Sequence, residues 1–170
     1  MIWKKLNQQI SFVGKCVLIE DNFENVKEHK LTNRRIKKRI LILGDVHLGY
    51  GNESMNFLPN VIFQETLEDL GRILDALGKV DIVVLLGDVK HYFGGILDQE
   101  WREARKFFAL LKKFSGRIVI VKGNHDTILE PISREFGLEL KNYLILKKYG
   151  FFHGHEMFGE LLEKGIEILL

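Results

Sequence analysis

The chain has 170 residues, 46% of them hydrophobic, enough for one domain with a sizeable core. Charged residues make up 28%, but the formal net charge is only +2, so bulk charge does not mark a nucleic-acid binder. The lone cysteine, Cys16, excludes an intramolecular disulfide framework and points to a reduced, cytoplasmic setting; no apolar run approaches the ~20 residues of a membrane span, and Met1 to Gln9 lack a signal peptide's apolar stretch.

Two prolines, Pro59 and Pro131, interrupt the chain, and neither a low-complexity linker nor an internal repeat divides it, so residues 1–170 are read as a single domain. Ile10 to Glu20 mix β-branched and aromatic residues around Gly14 and predict an N-terminal hairpin or edge strands. The polar stretch from Asp21 to Arg39 carries no clear period. Three short, continuous apolar runs follow, Ile40 to Leu43, Ile82 to Leu86 and Ile118 to Val121, of the kind found in strands buried on both faces. Between them Phe63, Leu67, Leu70, Leu74 and Leu77 share one helix face, as do Trp101, Ala104, Phe108 and Leu111. The alternation predicts parallel strands joined by right-handed helical crossovers. A short helix is expected after Pro131, then strands over Leu138 to Leu146 and at Phe151-Phe152, a weak helix, and a last apolar run from Ile166 to Leu170.

The chemistry sits where the strands end. In open α/β sheets ligands bind beyond the carboxyl ends of the strands. All three central runs lead into glycine followed by Asp45, Asp88 or Asn124. Glycine is expected to permit the sharp turn that leaves each strand. His47 lies two residues beyond Asp45, His125 follows Asn124, and His153 and His155 follow the Phe151-Phe152 pair. A single Gly-Asp is an ordinary turn, and a lone histidine an ordinary surface or core group. Three such turns at three strand ends, with four of the six histidines beside them, form a pattern. Carboxylate, amide oxygen and imidazole together suit manganese, iron or zinc. On the middle strand Asp88 is placed to bridge two ions.

These residues resemble the calcineurin-like metallophosphoesterase superfamily. Asp45-Val46-His47 matches its Asp-x-His block, Gly87-Asp88 its Gly-Asp block, and Gly123-Asn124-His125-Asp126 its Gly-Asn-His-Asp block. His153-Gly154-His155 resembles a later histidine block. The wording is closest to a prokaryotic branch of predicted phosphoesterases, some linked to DNA repair. The resemblance implies an α/β fold, a four-layer α/β/β/α sandwich with mixed sheets, with N-terminal strands and a basic segment over 1–38 and the metal-binding core over 39–170. It further implies two divalent ions, Mn²⁺ first, with Fe²⁺, Zn²⁺ and Ni²⁺ as alternatives. Asp45 and His47 would hold one ion, Asp88 would bridge, and Asn124 and His153 would hold the other. His125 would act as catalytic acid or stabiliser, with Asp126 orienting its ring. The implied reaction is hydrolysis of a phosphate ester, of phosphodiesterase or nuclease type, by a metal-bridging hydroxide.

The family pattern closes with a Gly-His-x-His block after a further strand, whereas this chain stops at Gly165 to Leu170. The expectation is C-terminal truncation, with one ligand fewer for each ion and self-association through an exposed C-terminal strand. A weakly active or inactive binding module on the same fold, or a fragment, is the alternative. Lys90, His91 and His155 stand close enough in sequence to touch substrate or to hold loops. The run from Arg34 to Arg39 has five cations in six residues and reads either as a nucleic-acid patch or as a solvated segment. The polar loop from Asp45 to Pro59 suits a substrate-facing role, and Trp101 and Phe108 read as core.

Overall fold

The β-branched runs form the centre of a seven-stranded sheet. The computed structural model describes residues 2–27, 30–50, 59–163 and 165–170. Strands β1 (Trp3–Lys5), β2 (Ile10–Val13), β3 (Cys16–Lys27) and β4 (Lys30–Gly44) pair antiparallel in sequence order. Beyond β4 the sheet turns parallel through β5 (Ile82–Leu86), β6 (Ile118–Val121) and β7 (Glu139–Lys141). The crossovers are α1 (Pro59–Leu77), α2 (Asp98–Phe114) and α3 (Glu130–Phe136), the last with proline in its first turn. A separate small sheet, in the order β10-β9-β8, contains β8 (Leu144–Leu146), β9 (Tyr149–Phe151) and β10 (Ile168–Leu169), preceded by a one-turn α4 (Glu160–Glu163).

Of the stretch from Asp21 to Arg39, unassigned by its hydrophobic pattern, the described residues form the outer half of β3, to Lys27, and of β4, from Lys30. Main-chain pairing, with opposite charges facing each other at Glu20↔Arg39 and Asp21↔Lys38, carries the ladder where no apolar period does. A register shift between Glu24 and Asn25 marks its bend.

Side chains alternate across the central strands and both faces are covered. Leu41, Val83, Leu85 and Ile120 pack with Leu70, Ile73 and Leu74 of α1 and with Ala104, Phe107 and Phe108 of α2. On the opposite face Ile40, Ile42, Ile82, Val84, Val119 and Val121 meet Leu144, Tyr149 and Phe151 of the small sheet. That double burial explains continuous apolar runs rather than alternation. Beyond the small sheet, Leu161 of α4 is buried and lies over Gly150, where a Cβ would come 3.1 Å from it. The order is helices, large sheet, small sheet, helix: the four-layer α/β/β/α sandwich with mixed sheets. The helices α1 to α3 therefore cover one face only, so a doubly wound sheet would describe half the molecule. Among the described residues no helix is long and apolar enough to cross a membrane.

Candidate metal centre

The loops that leave β4 and β5 adopt an unusual backbone. Asp45, His47 and Asp88 have φ of 51°, 47° and 49°, the left-handed region in which a side chain costs on the order of 1 kcal/mol. Of the three glycines before the ligand candidates, only Gly87 takes a positive φ, 71°. The turn expected at glycine is found at Gly87, together with Asp88; after β4 Asp45 itself takes the left-handed backbone and Gly44 does not. Glycine is also needed for room. A Cβ on Gly87 would fall 2.5 Å from Cγ of His153, and one on Gly123 would meet Asp88, with Cγ 3.0 Å away. A Cβ on Gly44 would make only ordinary contacts, its nearest neighbour being the Leu86 carbonyl at 3.4 Å. Backbone bonds fix the first loop on the second: the N–H groups of His47 and Leu48 donate to the Asp88 and Val89 carbonyls, both at 2.8 Å.

Asp88 is the hub. It is buried, at 5% exposure, and its Oδ1 accepts the His125 backbone N–H at 3.0 Å. Around Oδ2 stand three imidazole nitrogens, Nε2 of His153 at 3.4 Å, of His47 at 3.7 Å and of His125 at 3.9 Å. Each is longer than a normal hydrogen bond. Two of the rings are set by backbone carbonyls. Nδ1 of His153 lies 2.8 Å from the Leu86 oxygen and Nδ1 of His125 lies 2.6 Å from the His91 oxygen. A carbonyl only accepts, so each Nδ1 carries a proton, and Nε2 is the nitrogen that the neutral ring offers as a metal donor on the Asp88 side. Burial, the largest influence, holds the His47 imidazole below its ordinary range; Asp88 and Asp45 oppose this, and His125 and His91 add to it. Neutral imidazole is the metal-binding form.

The donor set fits divalent cations. One ligand atom from each of Asp45, His47 and Asp88 lies within 4.8 Å of the other two, and the same holds for His47, His91 and His125. Ligand atoms about 2.1 Å from a common ion stand roughly 3 to 3.5 Å apart, close to the spacing around Asp88 Oδ2. Mixed oxygen and nitrogen donors suit Mn²⁺, Fe²⁺ or Zn²⁺ and do not choose among them. Asn124 is exposed in the turn after β6 and lines a cavity of about 370 Å³ with Asp126 and His155. His155 is also exposed, its ring 5.4 Å from that of His153.

Two expectations change in detail. Asp126 is fully buried, and its carboxylate accepts backbone N–H groups from Val89 at 3.0 Å, Lys90 at 3.3 Å and Gly123 at 3.0 Å. It ties the two strand-end loops together, and the His125 ring is oriented by His91 instead. Burial is the main influence raising the Asp126 carboxyl above its usual range, against the three N–H groups that stabilise its anion. Lys90, left open between substrate and loop, is fully buried with its ammonium on the Tyr92 carbonyl, so it holds the loop. His91 joins the histidine cluster, its Nδ1 3.4 Å from that of His47.

Glu100 and Glu103 of α2 had no place in the sequence reading. Both are buried. Glu100 accepts the N–H groups of His91, Tyr92 and Leu97 at 3.0, 2.9 and 2.8 Å, and Glu103 accepts that of Gly49 at 2.7 Å. The readable signal was a glutamate at the third position of a helix, the place from which a side chain reaches back to cap its own start. Within the basic run, Lys37 and Arg39 pair with Glu20 at 3.5 and 3.4 Å, and Arg39 also donates to the carbonyls of Leu77 and Lys79. Those two cations are structural. The side chains of Arg34 and Arg35, and Gly51 to Leu58 of the polar loop, lie outside the described residues.

Comparison with known proteins bears on the fold and the family. A nuclease, MPE, from Pseudomonas putida superposes with a TM-score of 0.54 at 17% identity, covering 82% of this chain and 68% of that one. The protein AQ665 of Aquifex aeolicus, described as of unknown function, gives a TM-score of 0.42 at 25% identity, covering 63% of this chain and 53% of the other. No curated protein sequence matches. The family model for calcineurin-like phosphoesterases matches residues 38–166, well over half of the chain. That match places the chain in the calcineurin-like phosphoesterase family.

Proposed function

We propose that this chain hydrolyses a phosphate ester with the help of two divalent ions, as a phosphodiesterase or nuclease. The observation that carries the reading is the convergence of three imidazole Nε2 atoms, at 3.4 to 3.9 Å, on one oxygen of the buried Asp88. Among the described residues Asp88 accepts one hydrogen bond, on Oδ1 from the His125 N–H, while the three Nε2 atoms around Oδ2 stand beyond normal hydrogen-bond length, a setting that a bound cation would complete. Asp45, His47 and Asp88 are assigned to one ion, and Asp88, Asn124 and His153 to the other. Divalent ions bound there supply positive charge for the phosphoryl oxygens and lower the pKa of water.

The remaining steps belong to the chain's own residues. His125, fixed as the Nδ1–H tautomer by the His91 carbonyl, keeps Nε2 free to hold or pass a proton at the leaving oxygen. Asp126, Glu100 and Glu103 hold the loops that present these groups. The P. putida neighbour is a nuclease and shares the fold; the reading rests on the site. The test is hydrolysis of bis(p-nitrophenyl) phosphate by the purified chain. Turnover is expected with Mn²⁺, lost on chelation and restored by added metal. Absence of turnover with Mn²⁺, Fe²⁺, Zn²⁺ and Ni²⁺ alike would overturn the proposal.

A further inference from the structure

Three aromatic side chains near the histidines face solvent: Tyr50 at 55% exposure, Tyr92 at 39% and Phe93 at 55%. Exposure alone says little, because single exposed hydrophobic residues are normal. What sets Phe93 apart is how firmly its backbone is held beside the reacting groups. The His91 and Tyr92 N–H groups are fixed by buried Glu100, the His91 carbonyl by His125, the Tyr92 carbonyl by Lys90, and the Phe93 carbonyl by the Thr127 hydroxyl at 2.9 Å. The Phe93 ring rests on the His125 ring, centroids 3.7 Å apart and tilted by 34°. Behind it His91 is nearly parallel to His125 at 5.6 Å, and Tyr50 meets His91 edge-on at 4.9 Å. The order is Phe93, His125, His91, Tyr50: exposed aromatic rings flank the histidines on both sides.

Resting on the phosphoesterase reading, we infer that Phe93, with Tyr50 beyond the histidines, forms a stacking platform for an unpaired nucleobase attached to the scissile phosphate. The chemical reasons are three. A base offers a flat face to an aromatic ring only when it is unpaired and unstacked, so the substrate is a nucleotide ester or a single-stranded end rather than duplex interior. The cation nearest in sequence, Lys90, is buried and engaged, so it adds nothing to phosphate binding. Binding energy beyond the metals is then drawn from ring faces, and a ring whose backbone is already fixed loses little entropy on engaging a base.

The experiment compares two phosphodiesters with the full chain and Mn²⁺: the thymidine dinucleotide and the same backbone carrying abasic sugars. The wild-type chain is expected to favour the base-bearing diester in kcat/KM by roughly five- to hundredfold. Phe93→Ala should bring that ratio toward one, mostly through KM, and Phe93→Trp should keep it. If Phe93→Ala slows both substrates equally, the ring only supports His125 and the proposal fails. A second readout needs no turnover: thymidine 5′-monophosphate should bind more tightly than deoxyribose 5-phosphate by calorimetry, and less so in Phe93→Ala. Equal affinities would overturn the platform. Turnover absent on every ester would instead sink the phosphoesterase reading, with the calorimetry still deciding on stacking. A single-stranded thymidine oligomer distinguishes a polymer end from a free nucleotide, and equal cutting of the same sequence inside a duplex would contradict the unpaired base.

Discussion

Asp88 differs from Asp45 in what surrounds it: one is buried among three imidazoles, the other exposed at the mouth of its loop. On the two-ion proposal, replacing Asp88, assigned to both ions, should cost more than replacing Asp45, assigned to one. Asp88→Asn is therefore expected to weaken Mn²⁺ binding at least roughly 100-fold, and Asp45→Asn distinctly less, in calorimetric titrations. Equal losses would count against a shared role. His125 is expected to act on protons, so His125→Ala should lower kcat by about 10²- to 10⁴-fold while metal affinity stays within a few fold. Concurrent loss of metal would move His125 into the ligand set. In Asp126→Asn the remaining oxygen can still accept from Val89 and Lys90, while the amide NH₂ takes the place of the oxygen that accepts from Gly123. A loss of about 1 to 3 kcal/mol in urea unfolding is expected, because a buried donor is left without an acceptor.

At the scale of elements, helix α2 does two jobs along one buried face. Its apolar stripe of Ala104, Phe107, Phe108 and Leu111 packs into the core, and this was legible from spacing. Glu100 and Glu103 near its start clamp the loops after β4 and β5, and this was not. They fall four residues before Ala104 and Phe107 on the buried face, but in sequence they look like the ordinary acidic residues of a helix's first turns; only the docking of two distant loops gives them partners. Glu100→Ala strands three N–H groups and is expected to destabilise the fold by about 3 kcal/mol in chemical denaturation. It should also slow turnover, since the His91 and Phe93 backbone loses its anchor. Full activity and stability in that variant would show that the loop holds its own shape. The β3–β4 pair tells a similar story: Asp21 to Lys27 and the first part of β4, from Lys30, pair through their main chain, which leaves little trace in side-chain hydropathy.

Across the whole molecule the two sheets are joined by apolar packing and by one polar knot. Asp21 on β3 is buried, and its Oδ2 accepts from the Lys147 ammonium at 2.9 Å and the Tyr149 hydroxyl at 3.0 Å, both from the small sheet. Burial works to raise the Asp21 carboxyl, but hydrogen bonds from Lys147, the Asn22 N–H and Tyr149 outweigh it and hold the group below the usual carboxylate range. A lowered folded-state pKa means that this stabilisation is present above the unfolded value, about 4, and fades as pH falls through the folded one. The chain is therefore expected to lose stability on acidification below about pH 4, and Asp21→Asn to flatten that part of the curve in thermal melts. An unchanged acid limb would show that the knot contributes nothing. Burial pushes the Cys16 thiol up to about 12, which makes it an inert core group rather than a reactive one.

What the sequence by itself determined was periodic or local. Continuous β-branched runs located β4, β5 and β6, helical spacing located α1 and α2, and Asp45, His47, Asp88, Asn124, His125 and His153 stood out because strand-end position is a one-dimensional property. The tertiary structure alone decided which of them share space. Left-handed backbone at Asp45, His47 and Asp88, the carbonyls that fix the tautomers of His125 and His153, and the diversion of Asp126 to three backbone donors all depend on loops from distant strands meeting. Burial and hydrogen bonding between such loops are collective results of packing two sheets and three helices, and no window of neighbouring residues contains them.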